Sequence, residues 1–235
     1  MKIAVLSDIH GNIQAFNNCL RFLEGEKVDK IFFLGDAIGY LPHGLEVLDV
    51  LKSLNIECIM GNHEAMLLGM IAINSENEKV YGLNYYKDHI TSDQLNFIKS
   101  WPSSLNVELE HIKFLMVHGS PENHLTGYIY PDSNLSIFEG MSEDFVIVGH
   151  THRPFISNGK GACIINVGSV GLPRDQGNLS GFLLIDTDLN RIEIIRIPFN
   201  VSSVYQQKVE GFVTHNSTIE CLKRTNISPF GRIIK

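Results

Sequence analysis

Lys2-Ile3-Ala4-Val5-Leu6-Ser7-Asp8-Ile9-His10-Gly11-Asn12 begins with five residues suited to a buried strand, breaks at Ser7-Asp8, and supplies Asn12 as a helix cap. Ile13, Phe16, Leu20 and Leu23 follow at helical spacing, and Gly25 predicts the end of that helix. The cadence then repeats. Lys30–Leu34 predicts a second strand broken by Gly35-Asp36, Gly44–Leu54 a helix, and Ile56–Met60 a third strand broken by Gly61-Asn62. This order implies parallel strands joined by right-handed crossovers.

Further along, residues 63–100 read as mostly helical, and Trp101-Pro102 ends that stretch. Short strands are predicted at Asn106–Leu109, Lys113–Val117, Phe145–Val148, Ala162–Asn166, Phe182–Asp186 and Arg191–Arg196. The last two flank a hairpin loop, Thr187-Asp188-Leu189-Asn190. Residues 201–226 read as helical, so 200–235 is expected to be a helical end piece. With no repeat, low-complexity run or linker, residues 1–235 read as one domain. The first half is parallel in style and the second more antiparallel. Two packed sheets with helices outside satisfy both.

A chain of 235 residues can bury the core of one large α/β domain, and 44% hydrophobic with 19% charged residues is ordinary globular composition. The net charge of −7 argues against a general attraction for nucleic acid or an anionic membrane, so neither partner is expected. Bound cations could still create a local anion site. The longest apolar stretch, Met66–Ile73, is interrupted by Gly69 and is too short for a membrane span. The opening reaches Asp8 too soon for a secretory apolar segment. Cys19, Cys58, Cys163 and Cys221 are scattered without a C-x-x-C pair, which suits reduced thiols in a cytoplasmic protein.

The chemistry is written at the strand ends. Asp8-Ile9-His10 follows the first strand, Gly35-Asp36 the second and Gly61-Asn62-His63-Glu64 the third. His118-Gly119 and Gly149-His150-Thr151-His152 end two later strands. Loops beyond the carboxyl ends of strands gather at one edge of an α/β sheet. Asp8, His10, Asp36, Asn62, His118, His150 and His152 offer oxygen and imidazole nitrogen without thiolate, a donor set for hard or borderline divalent metals. Seven such donors exceed one four-coordinate ion and suit two. Metals about 3.5–4 Å apart can clamp the attacking and leaving oxygens of a phosphoryl displacement. Each motif alone has a plain alternative as a turn, a helix cap or a pair of solvated imidazoles. Five in this order after apolar strands are not explained by sheet packing.

In their order, D-x-H, G-D, G-N-H-E, a lone H and G-H-T-H resemble the calcineurin-like metallophosphoesterase family, over roughly residues 1–175. Ser7-Asp8-Ile9-His10-Gly11-Asn12 and Asn166-Val167-Gly168-Ser169-Val170-Gly171-Leu172-Pro173-Arg174-Asp175 are similar to its small bacterial and archaeal phosphodiesterase branch. The resemblance implies an α/β/β/α sandwich of two mixed β-sheets flanked by helices. It implies that Asp8, His10 and His152 hold a first metal, that Asn62, His118 and His150 hold a second, and that Asp36 bridges them. His63 would face the leaving-group oxygen as an acid, an imidazole of pKa about 6.5 being able to supply the proton. Glu64 is expected at a helix N-terminus or behind the ligands.

The implied reaction is hydrolysis of a phosphodiester or phosphomonoester by a hydroxide held between two divalent cations. Manganese is the expected metal, with iron, nickel, cobalt and zinc as alternatives. The substrate is expected to be a small phosphate ester, a nucleotide among the candidates. The serine/threonine phosphatase branch continues its second block with an arginine. Here Gly39-Tyr40-Leu41 stands instead, which argues against a phosphoprotein phosphatase. Arg174 has two readings: a phosphate-binding role, or a plain one in which it is a surface residue or pairs with Asp175. Tyr40 either lines the cleft or packs its loop. A non-catalytic scaffold on the same fold is the competing class, and it should show gaps among the ligands, which are all filled here. A nucleotide-binding module lacks support, since neither G-x-G-x-x-G nor a Walker A motif is present.

Overall fold

The computed structural model describes residues 1–158, 161–226 and 228–234. Its opening follows the hydrophobic pattern: β1 (Lys2–Leu6), α1 (Ile13–Glu26), β2 (Lys30–Phe33), α2 (Gly44–Ser53) and β3 (Glu57–Cys58), with all three strands parallel. The Asn12 side chain caps α1 by accepting the Ala15 N–H at 3.1 Å. Gly25 does not end α1. The helix runs through Glu26, and Lys27 takes the left-handed cap at φ 54°. An interior glycine costs a helix only about 1 kcal/mol, less than the burial of Phe16, Cys19 and Leu23 on the opposite face returns. The third strand is shorter than expected, because Met60 N–H turns away to Pro102 O. Four short helices follow: α3 (Asn62–Leu67), α4 (Ser75–Tyr81), α5 (Leu83–His89) and α6 (Ser92–Lys99).

The second half comprises β4 (Ser104–Leu109), β5 (Ile112–Val117), β6 (Phe145–Val148), β7 (Phe155–Asn158), β8 (Cys163–Asn166), β9 (Leu179–Asp186) and β10 (Arg191–Pro198). Then come α7 (Val201–Gln206), α8 (Asn216–Leu222) and β11 (Arg232–Ile233). The helical end piece expected over 200–235 is therefore corrected. Among the described residues there, two short helices form, and β11 pairs in parallel with β10 as an edge strand. Two exposed residues give no alternation from which such a strand could be read.

The strands form two mixed sheets, six in the order β11-β10-β9-β1-β2-β3 and five in the order β4-β5-β6-β8-β7. Side-chain alternation along each strand divides the core. Ile3, Val5, Phe32 and Leu183 meet Phe114, Met116, Ile147 and Ile165 between the sheets. Ala4, Leu6, Phe33 and Leu184 face α1 and α2 on the outside. The outer face of the five-stranded sheet, with Leu115, Val117, Val146 and Ile164, is covered by the 119–144 segment, whose helical part is a 3₁₀ turn at Leu135–Phe138. No helix among the described residues is long and apolar enough to cross a membrane.

One buried ion pair ties the late segments together. Arg196 in β10 is fully buried and donates to both oxygens of Asp175 at 2.6 and 2.9 Å, to Leu179 O at 2.8 Å and to Phe230 O at 3.0 Å. Removing one partner strands a buried charge, which typically costs about 3–5 kcal/mol. Asp175→Ala should lose about that much stability in urea unfolding. A loss well under about 1 kcal/mol would show that the backbone carbonyls alone compensate the guanidinium.

Candidate metal centre

The loops after β1, β2 and β3 in one sheet and after β5, β6 and β8 in the other meet at one edge. Hydrogen bonds lock them across the sheet interface: His150 N–H donates to Asp8 Oδ2 at 3.0 Å, His118 Nδ1 meets Leu34 O at 2.7 Å, and Val170 N–H donates to Ser7 O at 3.0 Å. Asp8, His10, Asp36, Tyr40, His150 and His152 all have left-handed backbone, with φ between 50 and 65°. That region costs a non-glycine residue about 1–2 kcal/mol, so it persists only where surrounding bonds over-determine it. Gly149 is required by closeness, since a Cβ there would lie 2.2 Å from Ser7 Oγ and 2.7 Å from Asp8 Oδ2.

Every donor predicted from the sequence is brought into this cluster, and all are buried. His10 Nδ1 faces Ile38 O at 3.1 Å and His152 Nδ1 faces Leu172 O at 2.7 Å. A carbonyl only accepts, so each Nδ1 carries a proton and each ring turns its Nε2 inward. Those two Nε2 atoms are 3.1 Å apart. His118 Nε2 likewise lies 3.2 Å from His150 Nδ1 and 2.9 Å from Asn62 Oδ1. Asp8 Oδ1 is buried without a hydrogen-bond donor, 3.1 Å from His152 Nε2 and 3.6 Å from His10 Nε2. Asp36 Oδ2 stands between the two halves, 3.7 Å from His10 Nε2 and 3.3 Å from His118 Nε2.

This arrangement fits divalent cations. Donors at about 2.0–2.2 Å from one ion, at tetrahedral or octahedral angles, are separated by about 3.0–3.5 Å. The contacts at 3.1 and 3.2 Å between converging donors fall in that range. Asp8-His10-His152 and Asp36-His118-His150 each bring their ligand atoms within 4.8 Å of one another. The electrostatics agree. Burial opposes ionisation of Asp8 and Asp36, yet the surrounding imidazoles hold both well below the usual carboxylate range. Burial also opposes charge on His118, but Asp36 carries it up to about 9. Burial, with His118 adding to it, pushes His150 down to about 3. The two carboxylates thus demand positive charge that not every imidazole can supply.

Glu64, at the third position of α3, lies behind the centre. Its fully buried carboxylate accepts the N–H groups of Asp36 at 2.8 Å, Ala37 at 2.8 Å and Gly61 at 3.0 Å. Burial raises it to about 7 and Asp36 pushes the same way, while its backbone donors act against both. His63 N–H donates to Asp36 Oδ1 at 2.9 Å. The His63 ring lies farther out, its Nε2 4.0 Å from Asp36 Oδ2, packed by Tyr40 and Tyr81. It also forms a possible donor triad with His10 and Asp36. Burial pushes His63 down to about 3, far from the ordinary imidazole value.

Tyr40 stacks on His63 and also lines the cavity above Asp36. Pairing of Arg174 with Asp175 is excluded, because Asp175 is taken by Arg196. Arg174 instead donates to Tyr40 Oη at 3.4 Å and lines the same cavity, of about 180 Å³. Sequence reasoning missed Tyr81 and Tyr128, which wall this cavity. It also missed Asn166 and Ser169, which hold Gly149 O and Asp8 O. The segment containing Asn166 and Ser169 was legible as a family-like stretch, but nothing in it marked these contacts.

The calcineurin-like phosphoesterase superfamily domain matches residues 1–190, and the chain belongs to that family. An uncharacterized protein of Methanocaldococcus jannaschii is 30% identical over 227 residues, covering 88% of this chain and 92% of that protein. A phosphodiesterase of the same organism is 24% identical over 168 residues, covering 72% and 83%. The crystal structure of a metallophosphoesterase from Sphaerobacter thermophilus matches with a TM-score of 0.78 at 25% identity, covering 94% and 98%.

Glu64→Gln replaces one accepting oxygen by an amide that must face a backbone N–H. Leaving a buried donor unmet costs about 1–3 kcal/mol. The variant should therefore unfold at lower urea and bind divalent metal more weakly, because the loop carrying Asp36 loses its anchor. Unchanged stability and metal affinity would remove Glu64 from the account.

Proposed function

We propose that the protein is a phosphodiesterase that works with two divalent cations, manganese foremost. The position of Asp36 Oδ2 between His10 and His118 supports this reading most strongly. Asp8, His10 and His152 would hold one cation, Asn62, His118 and His150 the other, with Asp36 shared. Cations so held would lower the pKa of a water between them and offset charge on the phosphate oxygens. The intact donor set favours catalysis over a scaffold role.

His63 is assigned to the leaving-group side because it lines the open cavity and lies farther from Asp36 Oδ2 than His10 or His118. Burial keeps its ring neutral in the free protein. A phosphate anion seated beside it acts in the opposite direction and favours the imidazolium, which can give its proton to the departing oxygen. Arg174 and the Tyr40 hydroxyl, which line the same cavity, would orient the phosphate. A small ester, a nucleotide among the candidates, suits the narrow cavity, and Tyr40 standing over it argues against a phosphorylated protein loop. The acidic composition argues against stable binding of long nucleic acid.

Bis(p-nitrophenyl) phosphate should be cleaved with added Mn²⁺, with loss of activity on chelation and slow turnover of phosphopeptides. Rapid phosphopeptide turnover without diester cleavage would reverse the substrate assignment, and inactivity on every phosphate ester would remove the enzyme reading. His63→Gln should lower kcat on an alkyl diester by about 10²–10⁴-fold and much less on the nitrophenyl ester, with metal content unchanged. Metal loss would make His63 a ligand. An equal loss on both substrates would exclude its role as an acid.

A further inference from the structure

Beside the candidate centre lies a wider cleft of about 700 Å³. Tyr40, Asn77, Tyr81 and Arg174 line both it and the small cavity over Asp36, so the two are continuous. Arg153, Arg174 and Arg224 converge on this cleft from three separate segments: directly after His152, after Leu172, and after α8. Among the described residues none of the three is ion-paired; of the other arginines, Arg191, Arg196 and Arg232 have carboxylate partners and Arg21 bonds Asn18. Asp132 is the one acidic residue on the lining. In a chain of net charge −7, three unpaired guanidiniums around one cleft are a concentration of charge opposite to the composition.

Three guanidiniums lining one cleft give it a local positive field that favours an anion. Guanidinium groups recognise phosphate through paired, charge-assisted hydrogen bonds. A phosphate undergoing cleavage would lie over Asp36 and His63, where the cations offset its charge. Arg153 and Arg224 line the outer cleft and not the inner cavity, so they answer a different anion. Tyr81 and Tyr130 add ring surface in the same space, which is large enough for a nucleotide.

We infer that this cleft is a second anion subsite, and that the substrate is a nucleotide ester bearing a further phosphate that is bound but not transferred. The inference rests on the phosphoesterase reading above. Arg153 and Arg224 determine specificity. They touch neither the phosphate being cleaved nor the metal donors.

The test compares the p-nitrophenyl ester of thymidine monophosphate with the same compound phosphorylated on its free sugar hydroxyl. The bisphosphate should have the higher kcat/KM by about tenfold or more, the factor that one charge-assisted contact can supply. In Arg153→Gln/Arg224→Gln, two exposed positions whose change leaves the core intact, that preference should vanish. Cleavage of bis(p-nitrophenyl) phosphate by this variant should stay within about threefold of the parent, since less than one such contact is then at stake. Calorimetry on chelated protein adds a readout independent of turnover. Thymidine bisphosphate should bind more tightly than the monophosphate, and the double variant should abolish the difference. No preference in the parent protein, or a preference the variant keeps, overturns the subsite. Arginine-dependent binding by a protein that cleaves no ester keeps the subsite and removes the phosphoesterase reading. Cleavage indifferent to the second phosphate does the reverse.

Discussion

Two buried carboxylates, Asp8 and Asp36, face five imidazoles at the edge where both sheets end. Isolated buried carboxylates are expensive, and a folded protein normally pairs them or lets them take up protons. Here both are held ionised, while burial drives His63, His150 and His152 towards neutrality. For His152, Arg174 adds to that effect. The Nε2 atoms of His10 and His152 face one another at 3.1 Å. A divalent cation held here would neutralise the carboxylates and be ligated by the inward-facing ring nitrogens. Much of the surrounding architecture holds this arrangement in place when it would otherwise relax.

The fold supplies the restraint through its backbone. Six residues of the site take left-handed conformations, and the hydrogen bonds that enforce them run between loops of different strands. Glu64 pins the Asp36 loop from behind, Asn166 and Ser169 pin the loops of His150 and Asp8, and Leu172 O orients the His152 ring. The sheet interface brings these loops together, so core packing and site geometry are one problem. The Arg196–Asp175 pair fixes the segment that carries Arg174 and Leu172, which links the C-terminal strand to the substrate side.

The cluster was readable in the sequence because each donor directly follows an apolar run, and strand ends are where parallel sheets gather their loops. Asp8, His10, Asp36, Asn62, His63, His118, His150 and His152 all meet in the structure for that reason. The opening strands, the helix cap at Asn12 and the hairpin around residues 187–190 were legible through local chemistry alone. Other features were not. Phe155–Asn158 forms an edge strand too short to show alternation, and Arg232–Ile233 pairs only because β10 offers an open edge. Tyr81 reaches the cavity over Asp36, and Arg224 the outer cleft, through tertiary packing, which no spacing announces. The depressed imidazole of His63 follows from burial, and an ordinary value was the natural expectation without it.

Anomalous diffraction from crystals grown with Mn²⁺ tests the central claim most directly. Two peaks about 3.5–4 Å apart, with Asp36 Oδ2 in contact with both and His63 with neither, are the predicted result. A single ion in a closed set of four protein donors, or an Asp36 touching only one of two ions, would contradict it.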